Sequence, residues 1–524
     1  MSLSVDKVLR KAQSLMKAGE LAEAEELYKQ VIFKFPKNKK AIQGYQKLKA
    51  GITSKVSSKS EPTHEQVQEL IDLYNYGQFE KILKKVKPLI VVFPKAAVLH
   101  NVQGVSNAAL QIFDAAIESY KKAIIIKPDY DEAYNNMGNA LKDNAQLDAA
   151  INSYKKAIKI NPDYADAYRN MGTALQDKGE LDAAIDSYKK AIENKSDYAD
   201  AYSNMGTVLM EQGHQDAAIE FYNKALIINP GFADAHYNMG IVLQDKGELD
   251  AALNSYNQAL KIQPDHAEAH NGLGIVLKDK GELNAAIASF KQAITIKPNY
   301  NEAIHVLASL TGETTNSAPR EYVEKLFDAY ASKFENSLVE KLGYQAPKII
   351  TEMIIKRHPN KALGSVLDLG CGTGIAGLEL KQFSQNLEGI DLSNSMLEQA
   401  RTKDVYDKLI HGDIVEHLTE AELDFDYFIS TDVFIYVGEL SDVFRLIKSR
   451  NNRQGKLVFS TEHTEGKDFY LEKSGRYSHS KNYIDCLCIK YGYQLAHFEK
   501  IKLRKEKSGF LIGGLYLLEF DPAE

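Results

Sequence analysis

Apolar and charged residues alternate at helical spacing from the first residues onward: MSLSVDKVLRKAQSLMKAGELAEAEELY has no continuous apolar run and predicts amphipathic helices. Further along, the pattern becomes a strict period. PDY at Pro128 returns as PDY at Pro162, SDY at Ser196, PGF at Pro230, PDH at Pro264 and PNY at Pro298, in steps of 34 residues. Between these marks one frame recurs: AYNNMGNAL from Ala133, AYRNMGTAL from Ala167, AYSNMGTVL from Ala201, AHYNMGIVL from Ala235 and AHNGLGIVL from Ala269. A turn such as DKGELDAAI follows each, so every period predicts a pair of helices. Gly138, Gly172, Gly206, Gly240 and Gly274 permit close helix approach, and Tyr154, Tyr188, Tyr222, Tyr256 and Phe290 are expected to fill the space between repeats.

After Arg320 the texture changes. EYVEKLFDAYASKFENSLVEKLGYQAPKIITEMIIKRH reads as two amphipathic helices, and strand and helix signals then alternate to the end. Strands are expected at SVLDL (Ser365), NLEGID (Asn386), LIHGD (Leu409), FDYFIST (Phe425), GKLVFSTE (Gly455), YQLAHFEKIKL (Tyr493) and FLIGGLYLLEF (Phe510). The first five are far enough apart for crossover helices, which implies parallel pairing. The last two are joined only by RKEKSG and should form an antiparallel hairpin at one edge. TEHTEGKDFYLEKSGRYSHS reads as a polar lid.

The repeating half resembles the tetratricopeptide repeat, because small, large and proline positions recur together over many copies. The resemblance implies an all-α superhelix, with a degenerate repeat at 1–50, a serine-rich linker at 51–62 (GITSKVSSKSEP), the repeat array at 63–310 and a second linker, TGETTNSAP, at 311–319. Asn136, Asn170, Asn204 and Asn238 occupy one equivalent position on successive first helices, with Asp143, Asp177, Glu211, Asp245 and Asp279 two turns further along. In the family this face is a concave groove whose asparagines hold the backbone of an extended peptide. A side-chain amide suits that role, since it donates to C=O and accepts from N–H. A copied solvated polar face is the alternative.

The stretch SVLDLGCGTGIAG, from Ser365 to Gly377, is a strand, a glycine-rich turn and a helix, the first βα unit of a doubly wound sheet. Gly370, Gly372 and Gly374 allow backbone approach to a ligand, and GTGIAG even completes a dinucleotide fingerprint. The acid discriminates. Asp368 stands two residues before the first glycine, where a carboxylate repels a diphosphate but favours a cationic, phosphate-free nucleoside such as S-adenosylmethionine. Asp391 ends the second strand, where an acid can bind ribose hydroxyls. HGD supplies Asp413 after the third strand, and Asp432 lies in STDVFIYVG after the fourth.

DLGCGTG, EGIDLS, HGD and STDVFIYVG together resemble the class I S-adenosylmethionine-dependent methyltransferases across 320–524, and the whole chain resembles bacterial fusions of tetratricopeptide repeats with such a domain. The resemblance implies a Rossmann-like α/β domain with a seven-stranded sheet. It places Asp368, Gly370, Gly372 and Gly374 by the methionine portion, Asp391 on ribose, Asp413 with Ile414 around adenine, and Asp432 near the methyl. Methyl transfer needs an aligned nucleophile and exclusion of water, with no metal. No NPPY or DPPY follows the fourth strand, which favours oxygen or carboxyl acceptors over amide nitrogen. Candidate proton acceptors or orienting groups are Asp432, Tyr436, His463 and His479, with Glu462, Arg476 and Tyr477 beside them.

Charge and composition narrow the rest. With 64 basic and 71 acidic residues the net charge is −7, so no electrostatic case exists for nucleic acid or anionic membrane. Three cysteines, Cys371, Cys486 and Cys488, form no disulfide framework or CxxC knuckle and fit a reducing, cytoplasmic compartment. The expected protein is a methyltransferase whose repeats recruit a protein or peptide. A small-metabolite or glycan methyltransferase with repeats for assembly, and a non-catalytic scaffold, are the alternatives.

Overall fold

The computed structural model describes all residues except 1–4, 19, 57–60, 332–333, 336–342, 358–361, 507–508 and 521–524. The chain divides into two compact units, Met1–Val242 and Leu243–Glu524.

The first unit consists of consecutive helices from Val5–Ala18 onward, which pair two by two as the period requires: Asp131–Asp143 with Leu147–Ile160, Ala165–Asp177 with Leu181–Asn194, and Ala199–Glu211 with Gln215–Ile228. The small position matters sterically, because a Cβ on Gly138 would stand 2.4 Å from Tyr154 Cε1. Tyr154 is fully buried and donates its hydroxyl to Asn139 Oδ1 at 2.8 Å. The turn within each pair is left-handed, with φ +80° at Gly179 and +79° at Gly213, whereas Ala145 fills the same turn at φ +56°. The serine-rich stretch expected as a linker from residue 51 begins as helix instead, since the helix Lys39–Val56 runs through its first six positions. A single glycine costs a helix only about 1 kcal/mol, too little for Gly51 to end it. Residues 57–60 of that stretch lie outside the described residues, and Thr63 starts the next helix with a capping box to Gln66.

The second unit opens with four helices, Leu249–Ile262, Ala267–Asp279, Leu283–Ile296 and Asn301–Thr311, followed by the α/β domain. Its strands are β1 (Gly364–Leu369), β2 (Ser384–Asp391), β3 (Lys408–His411), β4 (Tyr427–Ser430), β5 (Lys456–Thr464), β6 (Phe469–Leu471), β7 (Tyr477–Ser480), β8 (Tyr493–Glu506) and β9 (Gly509–Phe520). The order β3-β2-β1-β4-β5 is parallel throughout. Antiparallel β9 follows on β5, and β8 pairs antiparallel with β9 as the expected hairpin. All seven expected strands are present. Two short strands add to them: β7 extends the sheet along the last residues of β5 and β6 pairs antiparallel with β7. The stretch read as a polar lid is thus partly sheet, because FYL and RYSHS flank a KSG turn and can pair as a hairpin.

Side-chain alternation on β1 builds both layers of core. Leu367 and Leu369 pack with Phe428, Phe444, Ile447, Phe459 and Ile484 on one face. Val366 packs with Ile350, Ile354, Leu380, Ile429 and Val458 on the other. Asp368 has the parity of Val366, so a carboxylate ends the strand on an otherwise apolar face.

The segment expected as a linker at 311–319 is a bound strap. Gly312 ends the preceding helix in the left-handed region, at φ +81°. Ser317 then pairs antiparallel with Val437, Ala318 N–H donates to Tyr436 O at 3.0 Å, and Glu439 N–H donates to Asn316 O at 2.8 Å.

Candidate active site

The carboxyl ends of β1, β2 and β4 bring together the glycine turn, Asp368, Asp391 and Asp432. Asp368 is completely buried. The Tyr406 hydroxyl donates to its Oδ2 at 2.7 Å, while Oδ1 is buried with no hydrogen-bond partner. Burial pushes the Asp368 carboxyl up to about 7, against the lowering effect of Tyr406 and reinforced by the nearby Asp391 charge. Gly370 is required by two constraints at once, a φ of +75° and a Cβ position 2.3 Å from Val433 Cγ2.

Asp391 is half-buried at the end of β2. It does not cap the following helix: Ser393 does, accepting from Met396 N–H at 3.1 Å. Asp391 instead accepts from Gly372 N–H at 2.8 Å and from Ser393 N–H at 2.9 Å, which fixes the glycine turn against β2. Burial raises its carboxyl above the ordinary range, with those backbone donors opposing. Asp328, from the helix Arg320–Tyr330, accepts from Ser393 Oγ at 2.5 Å and Ser395 N–H at 3.2 Å, and so docks that helix beside the site. Asp413 is the N-cap of the helix Ile414–Glu420, its Oδ1 accepting from Val415 and Glu416 N–H. Capping therefore occupies one oxygen of the acid expected around adenine, and Ile414 is the first residue of that helix.

The expected proton acceptors have different surroundings from those the sequence suggests. Asp432 sits in the left-handed region at φ +57° and is already neutralised. Arg504 donates to its Oδ2 at 2.7 Å and Ser460 Oγ to its Oδ1 at 3.1 Å, so both oxygens are taken. Arg504 also bonds Glu462 Oε1, which accepts from Arg476 Nε at 2.5 Å. Asp432, Arg504, Glu462 and Arg476 thus form one network of two acids and two bases. Burial raises the Asp432 and Glu462 carboxyls, and the arginines oppose it.

His479 is completely buried, with Nε2 donating to Gly438 O at 2.9 Å and Val437 O at 3.1 Å. Desolvation lowers it to about 4, so it is neutral at pH 7 and holds the loop after β4 in place; its expected role as proton acceptor gives way to a structural one. His463 lies beside Phe498, with ring centroids 5.8 Å apart. It has the opposite parity on β5 from Ser460 and Glu462, so it faces away from the network, and this removes it from the acceptor side. Tyr436 lies in the loop after β4. It is half-buried against Phe327, centroids 5.2 Å apart, and burial pushes its phenol up to about 12 while Arg476 opposes.

Sequence reading missed Arg504, Tyr406 and Asp328. Alternation along β8 puts Arg504 with Lys500 and Lys502 on the solvent side. A register shift between Lys502 and Arg504 turns it inward, where it is 5% exposed. Grooves of about 420 and 460 Å³ lie away from these acids, one along Asn386, Lys408 and Arg453 and one along Ser309, Tyr470 and Lys473.

In the first unit, Asn136 donates to Asn101 Oδ1 at 3.3 Å and Asn170 to Asn135 Oδ1 at 3.0 Å. These two amides stitch neighbouring repeats, whereas Asn204 and Asn238 make no such bond among the described residues.

Comparison with known proteins agrees with both halves. A family model described as TPR repeat matches residues 109–144, 141–179, 172–213, 206–247 and 243–281, and one described as tetratricopeptide repeat matches 267–300. A model described as methyltransferase domain matches 360–497. Malonyl-[acyl-carrier protein] O-methyltransferase of Bacillus cereus is 26% identical over 144 residues, 26% of this chain and 52% of that protein. Carboxy-S-adenosyl-L-methionine synthase of Campylobacter curvus is 30% identical over 152 residues, 27% of this chain and 64% of that protein. The chain therefore spans between half and two thirds of these relatives' own lengths. Among solved structures, YrrB, titled a TPR protein with an unusual peptide-binding site, is 27% identical with a TM-score of 0.30, covering 36% of this chain and 97% of that one. Residues 109–300 are tetratricopeptide repeats and residues 360–497 a methyltransferase domain, and the chain is a fusion of the two.

Proposed function

We propose that the domain at 320–524 binds S-adenosylmethionine and transfers its methyl group to an oxygen or carboxyl acceptor, with the array at 63–310 receiving a protein or peptide. The observation that carries this reading is Asp368 Oδ1, a buried carboxylate oxygen without a partner at the mouth of a left-handed glycine turn. An uncompensated anion there disfavours a pyrophosphate and suits a cationic nucleoside. Asp368 and the turn Gly370–Gly374 would hold the methionine portion, Asp391 the ribose, and Asp413 with Ile414 the adenine. The sulfonium supplies a methyl group already activated for displacement. What the protein adds is alignment and exclusion of water. Asp391 fixes the turn through Gly372 N–H, Arg504 keeps Asp432 from acting as a free anion, and Tyr436 with Phe327 walls the acceptor side. The relative named for O-methylation supports oxygen over nitrogen. Cytoplasmic placement belongs to the same reading, supported by three cysteines whose spacing offers no disulfide framework or CxxC knuckle; among the described residues no helix is long and apolar enough to cross a membrane.

A second reading, a small-molecule acceptor with the repeats serving assembly, draws on the amides of Asn136 and Asn170, which are partly spent on neighbouring repeats. Calorimetry with S-adenosylmethionine and with NAD tests the cofactor, and the proposal fails if only NAD binds. Labelled cofactor incubated with cell extract separates the two readings: label in the macromolecular fraction supports recruitment, label in the small-molecule fraction supports the second.

A further inference from the structure

We propose that His305, on the last repeat helix, is a positioning residue for the acceptor side of the methyl-transfer site, which makes the end of the repeat array part of that site. The inference rests on the proposed methyl transfer for its role, but on geometry alone for its contacts.

His305 lies on the helix Asn301–Thr311 and is 1% exposed. Its Nε2 donates to the carbonyl of Gly475 at 2.9 Å. Gly475 is at φ +83° in the turn between β6 and β7, and the next residue is Arg476, whose guanidinium reaches Glu462. Of the four charged side chains in that network Arg476 is the most open, at 25% exposed against 10% for Asp432, 6% for Arg504 and 5% for Glu462. It is therefore the member that an acceptor meets first. A short turn carries it, and the His305 bond is what ties that turn to a rigid helix. Tyr322 and Tyr477 pack on the imidazole with centroids 5.4 and 6.0 Å away.

The strap reinforces the same join. Thr315 Oγ1 shares a hydrogen bond of 2.5 Å with the Tyr477 hydroxyl, one residue past Arg476, and Ala318 N–H holds the Tyr436 carbonyl. Ala308 and Ala318 from the repeat side complete one apolar cluster with Leu471 and Tyr477. Both residues that face the acceptor, Tyr436 and Arg476, thus have their backbones held by residues 305–318. A displacement near 1 Å at such a site is enough to lower transfer about a hundredfold, so these bonds matter to rate.

The test uses the full chain with His305→Ala, His305→Phe and His305→Gln, Gln being able to donate to the same carbonyl. Amide hydrogen exchange over 472–480 is expected to rise in the Ala and Phe variants and to return close to wild type in Gln. Label transfer from S-adenosylmethionine is expected to fall about tenfold in Ala and Phe and to recover in Gln, with cofactor affinity by calorimetry unchanged in all three. Unchanged exchange at 472–480 in His305→Ala overturns the proposal, as does a Phe variant that behaves like wild type. If the wild type binds no S-adenosylmethionine, the proposed function fails, and the exchange measurement still decides whether His305 holds the Arg476 turn.

Discussion

Tyr406 donates its hydroxyl to one oxygen of Asp368 across 2.7 Å and leaves the other oxygen buried and bare. The pair explains how a site for a cation can be prepared before the cation arrives. One hydrogen bond orients the carboxylate, and incomplete satisfaction keeps it reactive toward a ligand.

Asp368→Asn should therefore separate stability from binding. The folded carboxyl sits near 7, above its ordinary 3.8, so the folded state holds more protons than the unfolded one between those values. Asp368 then costs stability progressively as pH rises from about 4 to about 7, and the cost is fully present above that. The Asn variant is expected to raise the melting temperature of the ligand-free protein by about 3–6 °C at pH 8 and little at pH 4, and to weaken S-adenosylmethionine binding at pH 8 but little at pH 4. Scanning calorimetry at the two pH values checks it, and a lower melting temperature at pH 8 contradicts it.

Cofactor affinity should itself depend on pH. Ionised Asp368 is the form that attracts a cation, so affinity is expected to fall by up to about tenfold per unit below pH 7. Tyr406→Phe removes a bond to the ionised form and should move the midpoint of this fall upward. Titration calorimetry between pH 5.5 and about 8.5 reads both; a flat profile would show that Asp368 does not meet the ligand's charge.

Arg504→Met should be severely destabilising, by about 3–5 kcal/mol, because it strands Asp432 as a buried anion and leaves Glu462 with Arg476 alone. Arg504→Met combined with Asp432→Asn should recover part of the loss. Chemical denaturation followed by tyrosine fluorescence measures both variants.

Within the first unit, Ala145→Gly should stabilise by about 1 kcal/mol, since Ala145 holds a left-handed turn that glycine fills at Gly179 and Gly213. Gly138→Ala should destabilise by about 1–3 kcal/mol, as the new methyl meets Tyr154. Opposite shifts of the thermal midpoint are the expected result.

Much of this was legible in the sequence where one physical cause dominates. The repeat period follows from Gly138 and Tyr154 filling the same space, and the glycine turn from Gly370, whose backbone no other residue adopts easily. The acids Asp368 and Asp391 were legible because a carboxylate at a strand's end has few structural reasons to be there. What escaped depends on pairs distant in sequence. Arg504 is turned inward by a register shift that alternation does not encode, and its charge changes the meaning of Asp432, 72 residues away. His479 reads as a base, yet its two carbonyl partners come from a loop 41 and 42 residues earlier. The polar composition of 311–319 suggested a tether, and its backbone pairing with Val437 is invisible to composition.

That strap sets where the protein can be cut. A chimera joined at residue 319 would leave the Tyr436 carbonyl and the Glu439 and Leu471 amides facing solvent or a foreign neighbour, each having lost a partner between Thr314 and Ala318, and one joined at residue 311 would still lose the His305 bond to the Gly475 carbonyl. Anyone grafting this methyl-transfer domain onto another carrier should keep the closing helices with it and place the junction near residue 243, where the compact unit begins.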